Sequence, residues 1–264
     1  VEGEAEGTAG ARQRATRAPH VLLAVLVAVL LAVNAIVLAT WDAGDDRAEG
    51  SPPPTTAPAP IAPPPPTVLF SDDFSGSSAF SGSEEEVITV TVADGQHRTR
   101  FHRSADIYSP LPDEVPERAV VEQTRDVSVA IEVRQISGDP GDWFGVICRT
   151  GGLDADLYVA AVRADGSWTI YRSTLGSQRG PYVQRALAVG RTPGIAAVQP
   201  ALFVFRIRLE CIGEAPTTLR LFVNDREVGR VDDPVGVPPG NVGFATSSRT
   251  GEFVFDNLVV TALG

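Results

Sequence analysis

The stretch Leu157–Arg172, LYVAAVRADGSWTIYR, decides the fold. Two β-rich runs, 157–163 and 167–172, flank Asp165-Gly166, a dipeptide that tolerates the positive φ angles of a tight primed turn. The stretch therefore reads as a β-hairpin. Along the first arm Tyr158, Ala160 and Val162 alternate with Leu157, Val159 and Ala161; along the second, Trp168 and Ile170 alternate with Thr169 and Tyr171. Both faces are rather apolar, which puts the hairpin well inside a sheet. An isolated hairpin is barely stable in water, so strands must lie beside it and a second layer must cover it.

Working outward from the hairpin, the rest of the chain from Val68 supplies such strands. VITVTV (Val87–Val92) alternates strictly, and Asp94-Gly95 turns it into Gln96–Arg103. Val127–Arg134, Trp143–Arg149, Leu202–Ile212, Leu219–Asn224, Asn241–Ala245 and Glu252–Thr261 follow, separated by Gly, Pro, Asp and Asn clusters. Short strands at near-regular spacing, with no amphipathic helix between them, predict an all-β sandwich or barrel over 68–264.

The chain upstream of 68 is of a different kind. Residues 1–20 are small and polar without apolar periodicity and read as a disordered cytoplasmic tail. Val21–Thr40 is uncharged and as long as the roughly 20 residues a helix needs to cross a bilayer core, and Trp41 suits the interface. Residues 21–41 are thus expected to be a transmembrane signal-anchor. A cleaved signal peptide is the alternative, disfavoured because its apolar region runs only to about 15 residues. Arg12, Arg14 and Arg17 precede the span while Asp42, Asp45, Asp46 and Glu49 follow it, which puts the N-terminus inside and the C-terminal domain outside the cell. Residues 42–67 form an acidic and then proline-rich linker, whose SPPPTTAPAPIAPPPPT segment favours extended polyproline II and acts as a stalk. A net charge of -11 excludes a general nucleic-acid binder, which would need a basic footprint.

Only two cysteines occur, Cys148 in FGVICR and Cys211 in RIRLECIG. Each shares a face with apolar neighbours, so each points into the core, and outside the membrane a buried pair should oxidise. Two unrelated buried thiols is the alternative. A metal site would need more ligands than these two.

LFSDDFSG, YVAAVRADGSWTIYR, RIRLECIG, TLRLFVNDREVGRVDD, GNVGFATSS and EFVFDNLVV together resemble the concanavalin A-like lectin/glucanase superfamily. The resemblance is to its laminin G-like branch, found as ectodomains of actinobacterial membrane proteins, and to keto-disaccharide hydrolase relatives. It implies a jelly roll of two antiparallel sheets, with a carbohydrate often bound on the concave one. It also implies a structural calcium where the first and last strands meet, with Asp72, Asp73 and Asp256 as its carboxylates; the alternative is that these aspartates cap turns. No other cofactor is called for. The chain departs from the family in having Phe80, in a Ser-rich segment, where a tryptophan is expected soon after DDFSG.

No catalytic arrangement is legible. The superfamily's glucanases carry an E-x-D-x-E strand, with two carboxyl groups about 5–5.5 Å apart for a retaining mechanism, and this chain has none. Arginine on strand faces is more suggestive. Arg98, Arg100 and His102 share one face, and Arg206 and Arg208 point away from the core face of their strand. One reading is an outer face tied by cross-strand salt bridges. The other is a cationic groove for an acidic glycan, since guanidinium forks match carboxylates. Trp143, Tyr158 or Trp168 could stack on sugar rings, with core filling the alternative expected of at least one of them. The expected function is a membrane-anchored, non-catalytic binding or sensing module for glycan. The alternatives are a glycoside hydrolase of keto-disaccharide type and a protein-interaction domain of unidentified partner.

Overall fold

The computed structural model describes residues 66–264, apart from position 77 and the segments 152–155, 175–182 and 194–199. The expected membrane span and nearly all of the linker lie outside the described residues. Within them no helix is long and apolar enough to cross a membrane.

Fifteen strands occur among the described residues: β1 (Thr67–Asp72), β2 (Ser83–Glu84), β3 (Ile88–Ala93), β4 (Gln96–Phe101), β5 (Ala105–Pro110), β6 (Val127–Ser137), β7 (Trp143–Thr150), β8 (Asp156–Arg163), β9 (Ser167–Thr174), β10 (Val183–Arg191), β11 (Phe205–Ile212), β12 (Thr217–Val223), β13 (Arg226–Asp233), β14 (Asn241–Ser248) and β15 (Glu252–Ala262). A short helix α1 (Arg118–Gln123) and a 3-10 turn (Pro200–Leu202) complete them. The strands form two antiparallel sheets of a jelly-roll sandwich. The nine-stranded sheet runs β13-β12-β11-β6-β15-β4-β3-β2, with β1 added on β15. The six-stranded sheet runs β10-β9-β8-β7-β14-β5. Strand β15 is long enough to pair with β4 through Glu252–Phe255 and with β1 through Leu258–Ala262.

The hairpin of Leu157–Arg172 is β8–β9, and β8 is an interior strand of its sheet, as its two apolar faces require. Its turn differs from the expectation. Asp165 keeps a negative φ while Gly166 sits at +83°, and the loop is three residues, Ala164–Gly166. Asp165 accepts hydrogen bonds from the Ser167 amide at 2.8 Å and hydroxyl at 2.6 Å, so its side chain organises the turn instead of its backbone. Two-residue primed turns occur where both central residues have positive φ, at Asp94-Gly95 and Asn224-Asp225. The expected strand 202–212 starts only at Phe205, because Pro200–Leu202 turns and leaves Leu202 exposed. Strands β5 and β10 and helix α1 were not legible: β10 is a largely exposed edge strand and α1 buries only Val121.

Between the sheets lie Val129, Ile131, Val133, Phe205, Ile207, Leu209, Phe253 and Phe255 from one side and Phe144, Val146, Tyr158, Ala160, Val162, Ile170 and Phe244 from the other. Cys148 on β7 and Cys211 on β11 join the sheets as a disulfide, with Cα atoms 6.9 Å apart. Closing a loop of this sequence separation, 63, stabilises the fold by about 4 kcal/mol in the chain-entropy model.

Trp168 closes the sandwich at the side where β10 and β13 meet. Its indole is wedged between Gly190 and Gly229: a methyl group would stand 2.2 Å from the ring at Gly190 and 2.6 Å at Gly229. Both glycines are therefore dictated by close approach. Gly190→Ala and Gly229→Ala are each expected to destabilise the domain by about 1–3 kcal/mol through overpacking, and Trp168→Ala by about 3–5 kcal/mol through a cavity. Urea unfolding of the three variants measures this; alanine substitutions without effect would remove the wedge from the account.

Candidate functional site

The candidate binding residues separate onto different sides of the sandwich. Arg98, Arg100, Arg206 and Arg208 stand on the outer face of the nine-stranded sheet. His102 lies just beyond β4, exposed, with Nε2 2.8 Å from Thr89 Oγ1. Each of the four arginines meets carboxylate. Arg98 and Arg100 donate to the two oxygens of Glu252 at 2.7 and 2.8 Å. Arg206 donates to Glu132 at 2.7 Å and to Asp225 at 3.0 Å. Arg208 pairs with Glu210, and its guanidinium lies 3.6 Å above the Phe222 ring. Arg220 joins the same network through Glu210 at 2.9 Å and Glu227 at 2.6 Å. The register causes this: Arg206 faces Glu132, Glu210 faces Arg220 and Glu252 faces Arg100 across neighbouring strands. The face is a charge-compensated ladder, and its guanidinium forks are already occupied.

Trp168 leaves the set of exposed aromatics, since it fills the core. So does Tyr158, whose hydroxyl donates to Asp233 Oδ2 at 2.8 Å. Burial, with help from Asp233, pushes that phenol up to about 12.

Trp143 lies on the opposite side of the molecule, on the outer face of the six-stranded sheet. There the register aligns Tyr108, Ala245, Gly145 and Ala161 as one row across β5, β14, β7 and β8. These small central residues leave room above them. Tyr108, Trp143 and Tyr171 lean in from three sides and cover Ile147, Val159, Ala161 and Ala245. The Trp143 ring centroid is 6.5 Å from that of Tyr108 and 6.2 Å, edge-on, from that of Tyr171. The Tyr108 hydroxyl comes within hydrogen-bonding influence of Tyr171, Gln184 and Ser173. Burial raises both phenols, that of Tyr171 far above its usual range, so both stay neutral, with their hydroxyls tucked beneath the surface. Asp106 and Arg163 bound it in the neighbouring row, with Trp143 facing Arg163.

Sequence reasoning did not find Tyr108, Tyr171, Ser173 and Gln184 as a group. Tyr108 lies on β5 and Gln184 on β10, neither of which was legible. Tyr171 was placed on the face away from Trp168, and that alternation was the one available signal.

Of the three aspartates expected to hold calcium, Asp72 and Asp73 accept bonds from the turns that follow β1, and Asp256 lies within β15 at its bulge. Asp72 accepts from the Phe74 amide at 2.7 Å, the Ser78 hydroxyl at 2.8 Å and the Ala79 amide at 2.9 Å. Asp73 accepts from the Ser75 amide and hydroxyl, which hold its carboxyl below the usual range. Asp256 accepts from the Asn257 amide, while burial, with Glu132 and Asp73 adding to it, raises its carboxyl. Among the described residues no group of three or more His, Cys, Asp or Glu side chains is arranged to hold a metal ion. Asp72 and Asp73 line a cleft of about 750 Å³ together with Glu114, Glu117 and Asn257.

No family model matches the sequence, and no curated protein sequence matches it. Solved structures with a similar chain path include Bacillus licheniformis β-glucanase (9% identity, 75% of this chain and 99% of that one, TM-score 0.47). The κ-carrageenase of Pseudoalteromonas carrageenovora is another (9% identity, 79% and 99%, 0.45). A third is the carbohydrate-binding module CBM66 of Bacillus subtilis (14% identity, 74% and 94%, 0.39). Likeness at this level speaks to neither activity nor ligand.

The ladder makes a prediction about Glu252, which is nearly buried beneath two exposed arginines. Arg98→Ala or Arg100→Ala alone leaves it one cation and is expected to cost at most about 1 kcal/mol. The double variant strands a buried carboxylate and should exceed the sum of the single effects. A double-mutant cycle by urea unfolding tests this, and strict additivity would contradict it.

Proposed function

We propose that this chain is a membrane-anchored, extracytoplasmic and non-catalytic module that binds carbohydrate on the outer face of its six-stranded sheet. The observation that supports this reading is the gathering of Trp143, Tyr108 and Tyr171 over a floor of small residues, with the exposed amide side chain of Gln184 at its edge. A sugar ring offers apolar C–H faces and a rim of hydroxyls. Aromatic rings and a few placed polar groups suit such a ligand. Among the described residues the charges of this face, Asp106, Arg163 and Arg191, lie in one row beside that of Tyr108 and Ala161, which favours an uncharged glycan over an acidic one. The arginines first suspected of reading acidic sugars are consumed by carboxylates on the other sheet.

The anchor rests on the uncharged run 21–40 and on the arginines that precede it. Protease added to intact cells is expected to remove the β domain and leave a small membrane stub; full protection would overturn the orientation.

Ligand binding is tested with the full chain in detergent against neutral and uronate-containing oligosaccharides. Binding of a neutral glycan, weakened at least about tenfold in Trp143→Ala and Tyr171→Ala and unchanged in Arg206→Ala, is the expected result; about 1.4 kcal/mol per tenfold is the scale of one lost ring contact. Loss in Arg206→Ala with normal binding by Trp143→Ala would move the site to the other sheet. Release of reducing sugar would make the protein a hydrolase. Recovery of a protein partner with no glycan bound would make it an interaction domain.

A further inference from the structure

The aromatic face of the six-stranded sheet does not end at Trp143. Beyond it, where β7 begins and β14 finishes, lies a pocket of about 280 Å³. Its walls are Asp139 and Asp142 of the loop between β6 and β7, Ser247 and Arg249 at the end of β14, and Ser104 just before β5. Register makes the pocket continuous with the rings, because Ser247 lies opposite Trp143 on one side and Asp106 on the other. Arg163, across from Trp143 on β8, donates to the Gly141 carbonyl at 3.1 Å and so ties the loop to the sheet.

One wall is built to close tolerance. Asp142 is 7% exposed, and its Oδ2 accepts from the Asp139 amide at 2.9 Å and from the Ser248 hydroxyl at 2.7 Å. A Cβ at Gly138 would stand 2.3 Å from that oxygen, and one at Gly251 would stand 2.9 Å from it. The carboxylate is thereby fixed, with Oδ1 left for the pocket that Asp142 lines. The other polar groups of the wall are open. Among the described residues the Asp139 carboxylate, the Arg249 guanidinium and the hydroxyls of Ser104 and Ser247 take part in no hydrogen bond or ion pair. Carboxylate and guanidinium thus line one pocket without joining each other. On the nine-stranded sheet, by contrast, Arg98, Arg100, Arg206 and Arg208 each hold a carboxylate.

A unit bound here must offer donors to the carboxylates and acceptors to the guanidinium at once. A hydroxyl is both donor and acceptor, and a sugar residue carries several. A simple anion would meet two carboxylates, and a simple cation would meet Arg249. The volume lies below the roughly 300–1,000 Å³ of pockets that enclose a whole drug-sized ligand, so it suits a single ring.

We propose that this pocket is a second sugar subsite, polar where the first is aromatic. One residue of a neutral oligosaccharide lies on Trp143, and its neighbour enters the pocket and is held through its hydroxyls by Asp139, Asp142 and Arg249. This inference rests on the aromatic face being the glycan site, and it makes the preferred ligand at least a disaccharide.

The test uses the full chain in detergent on an array of neutral oligosaccharides in nested lengths of one to four residues, with titration calorimetry of each series that is bound. An affinity gain of at least about tenfold from one residue to two is expected, the scale of a single good contact. That gain disappears in Asp139→Ala and in Arg249→Ala, while Trp143→Ala weakens binding at every length. Both Asp139 and Arg249 are exposed and their side chains unbonded, so the fold is not at stake in these variants. A gain that persists in both variants, or no gain with length in the wild type, would overturn the subsite and leave the aromatic site standing. Wild-type affinity in Trp143→Ala at every length would overturn the aromatic site and this inference with it, as would an array on which nothing is bound.

Discussion

A guanidinium buried between the sheets closes one end of this sandwich. Arg149, 1% exposed, follows Cys148 on β7 with a φ of +62°, which turns its side chain inward where strand alternation would send it out. It donates to the Thr217 hydroxyl at 2.9 Å and to the carbonyls of Val237 at 2.8 Å, Arg125 at 2.7 Å, Cys211 at 3.4 Å and Gly213. These groups belong to chain entering or leaving β6, β11, β12 and β14. Carbonyls at sheet ends need donors when water is excluded. One planar fork meets several of them at once, which a lysine could not do. The disulfide at the neighbouring position makes the same junction covalently, so the relative placement of the two sheets is determined here.

With that junction set, the two outer faces follow different rules. The nine-stranded sheet carries long charged side chains opposite one another. Their mutual attraction, together with Phe222 under Arg208, settles them on each other. The six-stranded sheet carries small residues in its middle strands, and the space above them is filled by rings from its flanks. A face whose polar groups satisfy one another has little left for a ligand. A face built of rings over small residues retains apolar area, and the difference comes from side-chain size and register.

Much of this architecture was legible in local pattern. Strict alternation in Val87–Val92 and in Phe205–Leu209 identified strands and their core faces, and Asp94-Gly95 identified a tight turn. The facing cysteines follow from the same alternation. What escaped was the exposed or irregular: β10, an edge strand with a bulge between Ala186 and Ala188, and β5, which ends in proline. Edge strands need bury only one side, so the apolar periodicity that betrays interior strands is weak in them. The site suffered most, because Tyr108 and Gln184 sit on those two strands.

The sequence alone determined the period-2 alternation and hence which side of each interior strand is buried, since residues one apart must point oppositely. It also determined the separation of an apolar, arginine-preceded segment and a proline-rich stretch from an all-β region. Only the tertiary structure decided which strands are neighbours, and so which side chains meet. Arg98, Arg206, Trp143 and Trp168 all looked like surface candidates along the chain. Cross-strand register gave the first two to Glu252 and Glu132, the wedge between Gly190 and Gly229 took Trp168 into the core, and Trp143 was brought to Tyr108 and Tyr171. Strand order depends on contacts between residues far apart in the chain, and no local pattern encodes it.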